Sequence, residues 1–321
     1  MIDTRSLITP HLIRNKNFYV AYSGGVDSTV LLKEVCEAAK KVNCNVTAIH
    51  INHGYSKFSD NWEQHCEKFC IEHDYPLQKF SLNIAEAEGA SLESAMREKR
   101  YEIFQSLIGK NETLFMGHHL DDQIETLFFR ILRGSGLKGS SSIPFKRNLG
   151  KGLLVRPFLN LSKKEIYEIA KLKKLKFIED ESNKDIKFDR NFLRNEVIEK
   201  ISERWPNYRK SLSKYIENQK SSHEFLKEIT TIELKKILHG KNIDVNKLKK
   251  YDIKYQKILI LQWLEMNNCN SPSSSALDEL TKFFVSSEKT KEPKFIWGSK
   301  EKGNYICLKI KKGIISIESN P

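Results

Sequence analysis

Along the first 180 residues, short apolar runs alternate with stretches whose apolar positions recur every three or four residues. Residues 18–22 (FYVAY) have the pattern of a short buried strand, and residues 29–42 (TVLLKEVCEAAKKV) follow with helical spacing. Residues 46–51 predict the next strand, rich in β-branched side chains, and 61–73 the next helix. A third strand is expected at 78–84, then a long helix over 91–108 with Ser91 as its N-cap. A fourth strand at 113–117, a helix at 121–132 and a fifth strand at 153–156 follow. The helix at 162–174 opens with the Ser162/Glu165 pair of a capping box. Strands alternating with helices predict an α/β domain whose parallel sheet is covered on both faces. Ligands of such sheets sit beyond the carboxyl ends of the strands, where the strand order reverses. The loops after Tyr22, Ile51 and Gly117 are therefore the expected working edge.

The pattern changes after about residue 203. Residues 204–220, 222–238 and 254–266 predict amphipathic helices, and 276–284 another after a polar, Ser-rich break. Residues 294–297, 305–310 and 314–317 predict short strands joined by Gly-containing turns. The expected organisation is an N-terminal α/β domain over 1–203, a linking helix over 204–220, and a smaller, mostly helical domain over 221–321 ending in a short antiparallel sheet.

Charge adds a partner to this picture. The 321 residues carry 54 Lys and Arg against 41 Asp and Glu, a net +13. Residues 201–321 hold 23 basic and 14 acidic side chains, so the shorter part carries +9 of that excess. A basic surplus suits a polyanion, nucleic acid before an anionic membrane surface, although solvated lysine-rich surfaces give the same balance. No run approaches the roughly 18–20 apolar residues of a membrane span. The opening MIDTRSLITPHLIRNKN lacks the apolar core of a signal peptide, and six cysteines are too few for a disulfide scaffold; a reducing cytoplasm is expected.

Directly after the first strand stands Ser23-Gly24-Gly25-Val26-Asp27-Ser28, followed by a helix. Two glycines allow a sharp turn and close approach to a ligand, and the helix start directs N–H groups and its positive dipole end at the loop. Ser23 and Ser28 add hydroxyls, so the loop suits a phosphate or pyrophosphate, with Asp27 placed to share Mg²⁺ with it. After the fourth strand comes GHHLDDQIET (117–126). Asp122 and Glu125 are three apart and share a helical face, where they can hold Mg²⁺, act as a base, or simply complement the helix dipole. His118 and His119 leave the strand at its carboxyl end, and their spacing to the aspartates is not that of a usual zinc site. Arg97 and Arg100 lie on one face of the long helix, which equally describes a solvated basic face. Arg130 and Arg133 precede a Gly loop, and Arg190 and Arg194 stand at helical spacing that suits phosphate contacts. Cys66 and Cys70, flanked by His65 and His73, read as buried helical cysteines before they read as a metal site.

The ordered set SGGVDS (23–28), HINHG (50–54), AMREKRY (95–101), GHHLDDQIET (117–126), RILRGSG (130–136), RPF (156–158), EDESNKD (179–185) and FDRNFLR (188–194) resembles the tRNA(Ile)-lysidine synthetase family. That family lies within the PP-loop, N-type ATP pyrophosphatases. Residues 260–265 (ILQWLE) and 294–308 (KFIWGSKEKGNYICL) resemble the family's first C-terminal domain. The resemblance implies a Rossmann-like PP-loop catalytic domain over 1–203 and a basic tRNA-binding domain over 221–321. It implies ATP and Mg²⁺ as cofactors, with L-lysine and tRNA(Ile) bearing a CAU anticodon as partners, no membrane, and room for a homodimer. The implied reaction adenylates C2 of the wobble cytidine and lets the lysine ε-amine displace AMP. By the same resemblance Ser23, Gly24, Gly25, Val26, Asp27 and Ser28 bind the phosphates, and His50, Asn52 and His53 border the adenosine. Asp27 and Asp122 are the Mg²⁺ candidates. Asp27, Arg97, His118, Asp122 and Glu125 form the expected catalytic set, and Arg133, Arg190 and Arg194 contact tRNA.

Two departures stand out. Lys138-Gly-Ser-Ser-Ser occupies a place where the family continues apolar, which leaves residues 136–142 without a role. Larger members carry a second C-terminal domain, and 321 residues leave no evident room for it. The rival readings are a PP-loop tRNA thiolase, which needs the Cys pairs that this chain lacks in CxxC form, a PP-loop ligase for a small metabolite, and an RNA-binding module without activity.

Overall fold

The structure is a computed structural model and describes residues 3–12, 16–54, 58–82, 90–179, 186–286, 294–299 and 304–318. The motif residues 180–185 (with Asp180, Ser182, Asn183 and Asp185), the end of the third expected strand at 83–84, and residues 300–303 lie outside them. The described chain divides into two units, Met1–Lys220 and Ser221–Pro321.

In the first unit, α1 (Thr4–Ile8) leads to β1 (Asn17–Ala21), α2 (Val26–Val42), β2 (Asn45–Asn52), α3 (Ser59–His73), β3 (Leu77–Ser81) and α4 (Ala90–Leu107). Next come β4 (Thr113–Phe115), α5 (Leu120–Ile131), the single turn α6 (Leu137–Ser140), β5 (Lys146–Leu149), β6 (Gly152–Val155) and α7 (Lys163–Leu172). The strand order is β3-β2-β1-β4-β6-β5, parallel except for the β5–β6 hairpin. The expected α/β architecture is present. Helix α4 already includes Ala90, so Ser91 falls inside its first turn rather than capping it. Strand β5 (KRNL) escaped the sequence reading because a polar edge strand has no apolar alternation to betray it.

Alternation of side chains across the pleat builds two cores. Phe18 and Val20 of β1 face Val30, Leu31 and Val35 of α2 and Ile166 and Ala170 of α7. Tyr19 and Ala21 turn to the opposite face, among Ile49, Ile51, Phe104 and Leu114. From β1 the chain winds outward through β2 and β3, then returns to lay β4 on the other side of β1. The strand order reverses between β1 and β4, and their carboxyl ends flank the crevice that this reversal opens.

Helix α8 (Asp189–Phe192) runs through a π-helical segment, Leu193–Ile198, into α9 (Glu199–Arg204), and α10 spans Tyr208–Ile237. The expected separate helices at 204–220 and 222–238 are thus largely one helix of 30 residues. Lys220-Ser221-Ser222 contains neither Pro nor Gly, so nothing local forces a break.

The second unit comprises β7 (Leu238–His239), β8 (Asn242–Asp244), α11 (Val245–Leu248), α12 (Ile253–Met266), α13 (Ser274–Ser286), β9 (Lys294–Ser299), β10 (Asn304–Lys311) and β11 (Ile314–Glu318). Its antiparallel sheet has five strands in the order β7-β8-β11-β10-β9 rather than the three expected. The two extra strands have two and three residues, too short to show a period. Trp263 anchors this core among Leu259, Ile260, Leu308 and Ile315, and its Nε1 donates to the Lys241 carbonyl at 2.8 Å.

Candidate active site

The first loop is shaped by its own side chains. Gly24 adopts φ +85°, and a Cβ there would lie 2.7 Å from Ile178 Cδ1 and 2.9 Å from Cys66 Sγ. Only glycine suits both the conformation and the space. The Ile178 N–H donates to the Gly24 carbonyl at 2.9 Å, pinning the loop from the side. Ser28 Oγ accepts from the Ser23 N–H at 3.2 Å, lies 3.1 Å from Ser23 Oγ and donates to the Gly25 carbonyl at 3.0 Å. The first turn of α2, Val26 and Asp27 included, then opens above the loop with the N–H array that favours anions.

Gly117 ends the β4 side of the crevice. A Cβ on it would lie 3.1 Å from both the carbonyl carbon and oxygen of Asp27, so the two backbones meet only because this residue is glycine. His119 then caps α5. Its Nδ1 accepts the Asp122 N–H at 3.4 Å, and Asp122 Oδ2 accepts the His119 N–H at 2.9 Å. With Nδ1 accepting, the proton of neutral His119 resides on Nε2. Nε2 lies 3.7 Å from Asp27 Oδ2 and 3.6 Å from Asp122 Oδ2. The buried His119 ring therefore stands between the carboxylates of the two loops, a role that its place in the GHHLDDQIET block did not reveal. Burial raises the Asp27 carboxyl and Asp122 raises it further, while His119 opposes them. Asp27 Oδ1 is buried with no hydrogen-bond partner.

A cavity opens beside these groups. Tyr22, Ile49, Ile51, Phe104 and Met116 form its apolar walls, and Asp27, His53, Arg100, His118 and Asp122 its polar lining. His118 Nδ1 accepts from Arg156 Nε at 3.3 Å, so the neutral ring carries its proton on Nε2. Arg156 is 2% exposed and also donates to the Pro144 carbonyl at 2.7 Å, which fixes the guanidinium behind the ring. Burial holds His118 well below the ordinary histidine range; Asp122 opposes this, and Arg156, Arg100 and Arg97 reinforce it. His53 is pushed down to about 4 by burial, then by Arg100 and His50.

Other candidates occupy different positions. Arg97, expected at the catalytic centre, is exposed, with its guanidinium 5.3 Å from the Tyr101 ring centre; Arg100, one turn on, lines the cavity instead. Arg147, which no motif flagged, lies 4.6 Å from the same ring. Burial alone would raise the Tyr101 phenol, yet Arg97, Arg147 and Arg156 together hold it below its ordinary value. His50 Nδ1 donates to the Tyr22 carbonyl at 3.0 Å and ties the two strand ends together. Asn52 donates to Asp60 and Glu63 at 3.2 and 3.1 Å and accepts the Gly54 N–H at 2.9 Å, so it shapes its turn.

Glu125 is buried, and both its oxygens accept from Arg194, Nε at 2.7 Å and Nη2 at 2.9 Å. Burial raises the Glu125 carboxyl, and the paired Arg194 opposes that rise. Arg194, expected on the RNA side, thus turns inward, aimed by the π-helical segment in which it sits. Arg133 lies 3.8 Å from the Phe129 ring centre and 3.7 Å from Asp189, and Arg190 is 5.8 Å from the same ring.

Residues 136–142 acquire a structural role. Ser142 Oγ donates to the Gln123 carbonyl at 2.7 Å, and Arg130 Nη1 donates to the Gly139 and Ser142 carbonyls at 3.2 and 2.8 Å. Gln123 exchanges two hydrogen bonds with the Ile143 backbone, at 2.7 and 3.0 Å. The polar segment is held to α5 by hydrogen bonds where an apolar one would pack. Asp121 is occupied as well, accepting from the Lys163 N–H at 2.8 Å and Arg209 Nε at 2.7 Å.

The cysteines on α3 are core residues: burial pushes the Cys66 and Cys70 thiols up to about 12. Among the described residues, no group of three or more His, Cys, Asp or Glu is arranged to hold a metal by itself. No described helix is long and apolar enough to cross a membrane.

The PP-loop domain family matches residues 3–201. The chain is 32% identical to the tRNA(Ile)-lysidine synthase of Legionella pneumophila (strain Philadelphia 1) over 302 residues, 92% of this chain and 69% of that protein. It is 34% identical to that of Buchnera aphidicola subsp. Schizaphis graminum over 314 residues, 95% and 69%. With that of Pseudomonas putida the identity is 41% over 228 residues, 71% and 53%. The chain thus spans about half to two thirds of the length of these curated relatives. Among solved structures, the U34-tRNA thiolase NcsA from Methanococcus maripaludis superposes with a TM-score of 0.53 at 19% identity, over 67% of this chain and 77% of that one, and shares the fold.

Proposed function

The chain belongs to the tRNA(Ile)-lysidine synthase family, and on that premise we propose that it is an ATP-dependent ligase joining L-lysine to the wobble cytidine of a CAU-anticodon tRNA(Ile). In the proposed reaction the C2 carbonyl oxygen of the cytidine is adenylated by ATP with loss of pyrophosphate. The lysine ε-amine then attacks C2, and AMP leaves.

The crevice between β1 and β4 carries this proposal. There the SGGVDS loop and the start of α5 bring Asp27 and Asp122 to the two sides of one buried imidazole. Ser23, Gly24, Gly25, Val26 and Ser28 would cradle the phosphates, with the adenosine against the apolar walls near His53. Asp27 would hold Mg²⁺, which leaves Asp122 free for proton transfer. The unsatisfied, buried Asp27 Oδ1 suits a cation, and polyphosphate oxygens and water would complete a shell that one carboxylate cannot fill. When bound, the ion would offset charge on the phosphates.

Lysine must lose its ε-proton to attack, since the ordinary value of that group is about 10.4. Asp122 and Glu125 are the nearby acceptors on α5. Both Glu125 oxygens are engaged by Arg194, so we assign the proton to Asp122 and a positioning role to the Glu125–Arg194 pair. His118 offers its Nε2–H to charge developing in the cavity and, being neutral with Nδ1 engaged, does not serve as a base. Arg133, Arg190 and the basic residues of 221–321 would contact the tRNA, in the cytoplasm where that substrate resides. A thiolase has less support, because its sulfur chemistry needs reactive thiols and those on α3 are buried and raised.

Lysine incorporation into tRNA(Ile) transcript tests the proposal. Asp27→Asn and Asp122→Asn are each expected to lower the rate roughly a hundredfold or more. Near wild-type rates in both variants would overturn it.

A further inference from the structure

We propose that the groove between α5 and the turn after α9 is a nucleobase site, which takes one unpaired base of the RNA substrate against the Trp205 ring. This rests on the reading that the substrate is tRNA, and adds a contact distinct from the reacting cytidine.

The groove has a volume of about 370 Å³. Phe128, Ile201 and Leu212 supply apolar walls, and Arg204, Asn207 and Ser211 a polar rim. That volume sits at the small end of ligand sites, roughly 300–1,000 Å³, and suits a single flat group better than a helix. Trp205 is 61% exposed. The turn that presents it is held by its own backbone: the Trp205 N–H donates to Ile201 at 2.8 Å, and the Tyr208 N–H donates to Trp205 at 2.9 Å. Pro206 restricts the turn further. A large apolar ring held out beside a formed groove marks an interaction site.

Charge selects the occupant. Residues 190–214 contain seven basic and three acidic side chains. On the next residue of α5, which faces a different direction, the Phe129 ring carries Arg133 at 3.8 Å and Arg190 at 5.8 Å. Interleaved arginine and aromatic side chains form the kind of surface on which unpaired bases stack while phosphates are neutralised. A second copy of this chain would bring like charge against like. The Asn207 amide can both donate to and accept from a base edge. Phe128 follows Glu125 by one turn of α5, so the base held here would be a near neighbour of the reacting one.

The test titrates the intact 321-residue chain with a CAU anticodon stem-loop at fixed salt, in parallel with lysine incorporation. Trp205→Ala is expected to weaken RNA binding roughly tenfold or more, with Trp205→Phe close to wild type and ATP binding unchanged in both. Single abasic substitutions through the loop then identify the base: at one position the abasic penalty seen with wild type should vanish in Trp205→Ala. If the wild type binds the stem-loop and incorporates lysine while Trp205→Ala binds it equally well, the site is refuted and the activity stands. If no RNA binds and no lysine is incorporated, the functional reading itself fails and this site with it. Loss of self-association in Trp205→Ala by sedimentation, with RNA affinity unchanged, would refute the site in favour of a contact between copies.

Discussion

Asp27, His119 and Asp122 form a chain of two carboxylates around one imidazole, and two further histidines near it are kept neutral by burial. His53 and His118 have values well below the ordinary 6.5, so in acid the unfolded chain binds protons at these rings that the folded chain refuses. Their contribution to stability is complete above about pH 6.5 and declines as the pH falls toward 4. The raised carboxyls of Asp27 and Glu125 act in the opposite sense in acid, so a comparison of variants is the proper readout. Between pH 7 and pH 5 in urea denaturation, the wild type should lose on the order of 4 kcal/mol more than the His53→Gln/His118→Gln double variant, about 2 for each ring. Equal losses would mean that these rings are solvated. At this scale the sequence pointed to Asp27, His118 and Asp122, since motif spacing is local. It singled out Arg156 only as part of the RPF block, with no role, and could not indicate Arg147 or the inward turn of Arg194, because each meets its partner across a long chain separation.

Between elements, Gly117 sets how closely β4 and α2 approach. Gly117→Ala puts a methyl group 3.1 Å from the Asp27 carbonyl, so the phosphate loop must give by a few tenths of an ångström. We expect a loss of about 1–3 kcal/mol in thermal unfolding, with a raised KM for ATP. An unchanged KM would show that the loop accommodates the methyl group without moving. The capping boxes at Ser162 and His119 differ in how visible they were. Ser162 with Glu165 is a common cap pair readable from residue types, whereas histidine is an uncommon cap and His119 had no such signal. Strand β5 and the attachment of 136–142 to α5 were hidden for a related reason: polar segments show no period, and their positions follow from hydrogen bonds made by α5 and β6.

Across the whole molecule, the +13 charge gains a location. Of the basic excess in 201–321, five basic and two acidic residues belong to 201–220, within the first unit, and Arg204 among them lines the Trp205 groove. The rest lies in the second unit, where Lys247 and Lys250 are exposed and Lys249 is half-buried. Replacing Lys247 and Lys250 by Gln should reduce the dependence of tRNA affinity on salt by about two phosphate contacts while leaving ATP binding unchanged. An identical salt slope would return these lysines to ordinary solvation. The alternation of apolar runs with periodic helices was enough to specify a parallel α/β unit, because a strand with two buried faces and a helix with one apolar stripe leave different periods in the chain. The glycine loop and the acidic helix start were legible for the same reason, each being a local backbone requirement. Which side chains converge was decided by the tertiary structure alone. The strand order reverses between β1 and β4, which brings Asp27 to His119 and Asp122, and the π-helical segment turns Arg194 onto Glu125. Such pairings depend on the path of the chain between distant residues, and no periodicity within a window of sequence encodes that path.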